Sequence, residues 1–136
     1  MRVAILNAGG FNVDYVYGLV AALARLGEIY IDLLDSNQSL HLYDSLPTVR
    51  VFSLLGQEGP AVPIWYKGWR QIRYYWRLFW YVVRTDATVF HIQWLNRFEL
   101  FERLAVVPWI RMMRKRLVFT AHNVDAHARD DGGRVF

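Results

Sequence analysis

The stretch VFTAHNVDAHARD, residues 118–130, leaves an apolar run and then places Thr120, His122, Asn123, Asp125 and His127 in quick succession. An imidazole at a strand exit can donate, accept or carry charge, because its ordinary pKa of about 6.5 lies close to neutrality. Asn123, directly after His122, can cap the turn and fix the direction of the chain. Two other segments end the same way: NAGGFN supplies Asn7, Gly9, Gly10 and Asn12, and HIQWLN supplies His91, Gln93 and Asn96. Paired glycines let a ligand approach the backbone closely, and the amides of a following helix can hold a phosphate. The segment NAGGFNVD nevertheless lacks both the dinucleotide fingerprint and the GK[ST] of a triphosphate loop, so no nucleotide cofactor is expected. His91, flanked by apolar residues in VFHIQW, reads equally as a hydrogen-bonded rim histidine and as a substrate contact. A zinc site of His91, His122 and His127 is conceivable, since three imidazoles and a water form a known arrangement. The spacing across a turn and the lack of an HExxH helix argue against it, and no metal is expected.

These clusters need elements to position them. Val3–Leu6 reads as a strand, and helical spacing of Val16, Leu19, Val20, Leu23 and Leu26 ahead of Gly27 predicts a helix over about 12–26. Further strands are expected over Glu28–Leu34, Val49–Leu55, Thr88–Ile92 and Leu117–Ala121. The link Asp35–Thr48 is polar and ends near Pro47, so that crossover is expected to lack a full helix. Phe98–Arg114 is helical in pattern, with Pro108 expected to kink or split it. Apolar strands alternating with helices predict a Rossmann-like α/β domain: a parallel sheet of about five strands, helices on both faces, and polar strand ends gathered where ligands bind.

The chain has 136 residues, 54% hydrophobic and 21% charged, which fits one packed domain over 1–136 and excludes a disordered chain. There is no cysteine, so disulfides, thiolate metal sites and cysteine nucleophiles are excluded. No apolar run of signal-peptide or membrane-spanning length occurs, and a cytoplasmic location is expected. The ending DDGGRVF makes a turn and then starts an apolar run that never develops, as expected of a piece of a longer protein, incomplete at its carboxy terminus.

The net charge of +4 suggests an anionic partner. Much of it sits in WYKGWRQIRYYWRLFWYVVR, residues 65–84, which contains no acid. On a helix, Trp65, Trp69, Ile72, Trp76, Phe79, Trp80 and Val83 share one broad face, with Arg70, Arg73, Arg77 and Arg84 along a neighbouring strip. Three uses are open for such a helix: packing on the sheet, contact with an anionic membrane surface, and, less favoured, stacking on nucleic acid.

The order of these motifs, from the glycine turn through GLVAALARLG, TDATVFHIQW and RKRLVFTAHNVDAH, resembles the amino-terminal half of a GT-B glycosyltransferase. The family is the large one that includes bacterial polysaccharide and glycolipid mannosyl-, glucosyl- and glucuronosyltransferases. The resemblance spans essentially the whole chain and is most specific at HIQW, 91–94, and TAHNVDAH, 120–127. It implies an acceptor-binding domain that moves a sugar from a nucleotide sugar to a glycan or lipid-linked acceptor. That role requires a carboxy-terminal donor-binding domain; the location expected for the chain is cytoplasmic, with peripheral attachment at the inner face of the cell membrane as the alternative that the aromatic basic helix leaves open. It makes Gly9 and Gly10 the glycine loop by the interdomain cleft, His91 the polar end of strand four, and His122 the motif histidine facing the reaction centre. Asp125 and Ala126 depart from the apolar residue and proline that many relatives carry there. Whether transfer retains or inverts the anomeric configuration does not follow from half a site.

Overall fold

The computed structural model describes residues 1–7, 13–35, 40–55, 62–94 and 98–120. Five strands form one parallel sheet in the order β3-β2-β1-β4-β5: β1 Arg2–Asn7, β2 Tyr30–Asp35, β3 Val49–Ser53, β4 Val89–Trp94 and β5 Arg116–Phe119. The strands fall where the apolar runs place them, shifted by one or two residues at the ends. Chain order and spatial order differ because the chain crosses the sheet between β3 and β4, from one edge to a position beside the central β1.

Side-chain alternation along β1 divides the core. Val3 and Ile5 join Ile31 and Leu33 beneath Val16 and Val20 of α1, Val13–Arg25. Ala4 and Leu6 point the other way, where Leu34, Phe90 and Ile92 pack under α2, Ile64–Arg84, through Tyr74, Leu78 and Val82. Helices therefore cover both faces, as a parallel sheet with apolar strands requires. The helix α1 stops at Gly27, whose φ of +73° is the left-handed conformation that closes a helix end without a Cβ clash. Among the described residues the crossover from β2 to β3 holds a single 3-10 turn, Leu40–Tyr43, with Tyr43 buried on the α1 side.

Pro108 is accommodated within a helical run rather than ending it. The run comprises α3, Glu99–Phe101, a π-helical turn over Glu102–Val106, and α4, Val107–Met112, with proline in the first turn of α4. A π turn lengthens the hydrogen-bonded ring by one residue, so the carbonyl that would meet the proline ring is displaced from it. Val106 and Ile110 of this run complete the core on the α2 side. Glu102 is buried as well, and accepts a hydrogen bond of 2.9 Å from the Tyr75 hydroxyl. Burial, with Glu102 and Tyr75 as its electrostatic neighbours, holds the pKa of Tyr74 well above the ordinary phenol value.

One charged group lies in the sheet itself. Asp32 on β2 is buried on the α2 side. It accepts hydrogen bonds from Arg50 Nε and Nη2 at 3.0 and 3.2 Å and from the Tyr81 hydroxyl at 2.6 Å. Loss of hydration raises its pKa above the ordinary carboxylate value, against the lowering effect of the Tyr81 hydrogen bond and the Arg2 charge. The ionised carboxylate thus opposes folding by itself, and the donors around it are what keep it in place.

Candidate functional site

In an open parallel sheet the ligand crevice lies beyond the carboxyl ends of the strands, at the point where the strand order reverses direction. Here that point falls between β1 and β4. The two strands pair in register from Val3 with Val89 to Leu6 with Ile92. The register then shifts, so that Asn7 stands opposite Trp94 and Gln93 is the extra residue. Such an irregularity breaks the ladder locally and re-aims the side chain it releases.

Asn7 ends β1 with its side chain 1% exposed, and its Oδ1 has no hydrogen-bond partner among the described residues. Gln93 is buried too, and its Oε1 is likewise unpaired among them. Buried acceptors nearly always find a donor, and leaving one unmade costs about 1–3 kcal/mol. Two such acceptors at the ends of adjacent strands mark a place where donors from outside the described set are wanted.

His91 stands two residues before Gln93 on the side of the sheet that carries α1, opposite Ile5 in the register. Its Nε2 lies 2.7 Å from the Thr120 hydroxyl and 2.9 Å from the Gln93 side-chain amide nitrogen. One ring nitrogen holds either a proton or a lone pair, so it serves these partners by turns. Protonated, it donates to Thr120; unprotonated, it accepts from one of them. Thr120 leaves β5 at the same end of the sheet, its amide donating to the Ile92 carbonyl at 3.1 Å. The carboxyl edge of β1, β4 and β5 therefore brings together Asn7, His91, Gln93 and Thr120.

Gly9, Gly10, His122 and Asn123 lie outside the described residues, as do Asn12, Asn96, Asp125 and His127. Among the described residues, no group of three or more His, Asp or Glu side chains is placed to hold a metal ion. Ser53, at the carboxyl end of β3, carries a buried hydroxyl without a partner among the described residues. No role for Ser53 follows from the sequence, where a polar residue after VRVF is the one signal of it. It stands two strands from Asn7, about 10 Å at the usual spacing, and so outside the switch point.

The aromatic basic helix is placed differently from the sheet-packing alternative. Trp65, Trp69, Trp76 and Trp80 are 70%, 59%, 64% and 44% exposed, because the opposite stripe of α2, Tyr74, Leu78 and Val82, is the one that docks. Arg73 and Arg84 are exposed, while Arg70 and Arg77 are half-buried, and Arg77 Nη1 donates to the Leu54 carbonyl at 3.4 Å.

The fold and its switch point define a Rossmann-like α/β domain whose architecture is compatible with nucleotide or other ligand binding. No family model matches the chain, and no curated protein matches it.

A test of the switch point follows from Asn7. If its Oδ1 awaits a ligand, Asn7→Leu removes a buried acceptor that has no partner among the described residues, while keeping the volume close. The variant is expected to be as stable as the wild type or up to about 1 kcal/mol more stable in urea unfolding, and any ligand of the crevice should bind it more weakly. A loss of several kcal/mol would mean that Asn7 already holds the loop after β1 in place.

Proposed function

We propose that this chain is the acceptor-side domain of a GT-B sugar transferase, acting with a donor-binding domain to move a sugar from a nucleotide sugar to a glycan or lipid-linked acceptor. The observation that carries the reading is the buried Asn7 Oδ1 at the β1 and β4 switch point, without a partner among the described residues and beside the His91, Gln93 and Thr120 cluster. The resemblance of HIQW and TAHNVDAH to that family supports it from the sequence side.

The chemistry gives each residue a task. Transfer from a nucleoside diphosphate sugar builds negative charge on the leaving phosphate and oxocarbenium character on the sugar. The Gly9 and Gly10 amides, which precede α1 in the sequence, would face the phosphate side. His91 and Asn7 would hold acceptor hydroxyls, and His122, oriented by Asn123, would stand nearest the reacting centre as a base or an electrostatic contact. None of these tasks calls for a resident cofactor or metal in this domain.

The donor pocket belongs to the other domain, so the isolated chain should not recognise the donor. Calorimetric titration with nucleotide sugars is expected to give no binding tighter than about millimolar, the weak limit of specific recognition. Micromolar binding accompanied by release of free sugar would overturn the reading.

A further inference from the structure

The exposed row on α2 has no place in sugar transfer as just described. Trp65, Trp69, Ile72, Trp76, Trp80 and Val83 recur at three- and four-residue intervals and form one apolar stripe facing away from the sheet. Beside it, an open apolar groove of about 510 Å³ runs between α2 and α4, bounded by Trp76, Phe79, Trp80, Val83 and Trp109. On the other flank stand the exposed Arg73 and Arg84, and Arg84 lies over the Trp80 ring at 4.8 Å from its centroid. The helix carries no acidic residue.

This combination fits one surface best. Tryptophan is the side chain most at home in the headgroup zone of a bilayer, where its ring meets acyl chains and its indole N–H meets water. Arginines flanking an apolar stripe match a layer of phosphate groups. No helix among the described residues is long and apolar enough to cross a membrane, so the contact is one of lying on the surface. We infer that α2 seats this domain in the interface of an anionic phospholipid bilayer, with the tryptophan stripe inserted and Arg73 and Arg84 on lipid phosphates. The helix then lies in the membrane plane. Its first turn, with Trp65, points toward the sheet edge that bears Asn7 and Gln93, because α2 runs back from the end of β3 to the start of β4. A duplex or single strand of nucleic acid would use the cations but leave most of the stripe in water. A second copy of the chain would cover the stripe but leave the cations without partners. The inference stands whether or not the domain transfers sugar.

The test is co-sedimentation of the full chain with vesicles of phosphatidylcholine alone and of phosphatidylcholine mixed with phosphatidylglycerol. Binding is expected to be at least about tenfold stronger to the anionic vesicles at low salt, and a residual apolar component should persist in molar salt. Arg73→Gln with Arg84→Gln should remove most of the anionic preference. Trp69→Ser with Trp76→Ser should remove the salt-resistant component, on the order of tenfold or more in partition, with unchanged circular dichroism because both side chains are exposed. Leu26→Ser, after α1 on the far side of the sheet, should partition as the wild type does. Three results would overturn the inference. They are equal binding to both vesicle types, tryptophan variants that partition like the wild type, and a dimer or an oligonucleotide complex that forms through the stripe and is not displaced by vesicles.

Discussion

Joined to a matching donor domain, the His122→Ala variant is expected to turn over on the order of 100-fold more slowly than the parent enzyme while its thermal midpoint moves little. That magnitude is what removal of one positioned proton-transfer or oxyanion-stabilising group costs in other enzymes. His122 is expected to matter more than His91 or His127 for reasons of place. His91 already has the Thr120 hydroxyl and the Gln93 amide within hydrogen-bond distance, so its ring is tied into the sheet edge. His127 is farther along an acid-containing segment, whereas His122 follows the end of β5 within three residues and is followed by an asparagine able to fix its direction. Turnover and thermal unfolding of the three single alanine variants, measured side by side, separate the cases. Parallel falls in turnover and stability for His122→Ala would make it a residue that holds the loop after β5, with no part in the reaction.

The second large effect concerns the helix that separates core from surface. Leu78→Ala should destabilise the domain by about 3 kcal/mol, because Leu78 is fully buried between α2 and the sheet and its loss leaves a cavity lined by Phe90, Ile92 and Val82 neighbours. Trp76→Ala, two residues away and a far larger deletion, should cost less than about 1 kcal/mol, since the ring is mostly in water. Urea unfolding of the two variants reads the orientation of α2 directly. A larger loss for Trp76 than for Leu78 would mean that the tryptophan stripe, and not the Tyr74, Leu78 and Val82 stripe, faces the sheet.

The same helix shows why part of the structure was legible in the sequence and part was not. Periodicity located α2 and grouped its tryptophans correctly, but the helix has apolar residues on two opposite sides. Burial of either stripe satisfies the pattern, so the period alone does not choose between them. The five strands were legible because each is a short apolar run bounded by polar or glycine-containing turns, and Gly27 was legible because a helix end of that shape favours glycine. The sheet order was not, because it depends on which strands meet and not on any one strand's residues. Gln93 stood out as polar at a strand end, but the register shift that frees it arises from pairing with β1 eighty-odd positions earlier in the chain. Asp32 had no visible role within EIYIDLL, since its partners Arg50 and Tyr81 come from β3 and α2. The π turn before Pro108 was equally hidden: proline signals a disturbance, while the surrounding packing selects its form.

The carboxyl edge of the sheet follows the same rule. Its polar residues were recognisable as a set, because Asn7, Gln93 and Thr120 each follow an apolar run and His91 interrupts the one before Gln93. That Asn7 Oδ1 and Gln93 Oε1 have no partner among the described residues, which turns a polar edge into a candidate crevice, appears only once the neighbours are in place. Val118 and Phe119 are exposed on β5, the outermost strand of the sheet, which pairs with β4 alone among the described residues.

The central claim is that this domain works as the acceptor half of a two-domain sugar transferase, and the most direct test is to read the coding sequence immediately downstream of Phe136. The account predicts an open frame, continuous or adjacent, encoding a second α/β domain with an acidic motif at the carboxyl ends of its strands to hold the donor's sugar and ribose. A downstream region that encodes no such domain in either arrangement would contradict it.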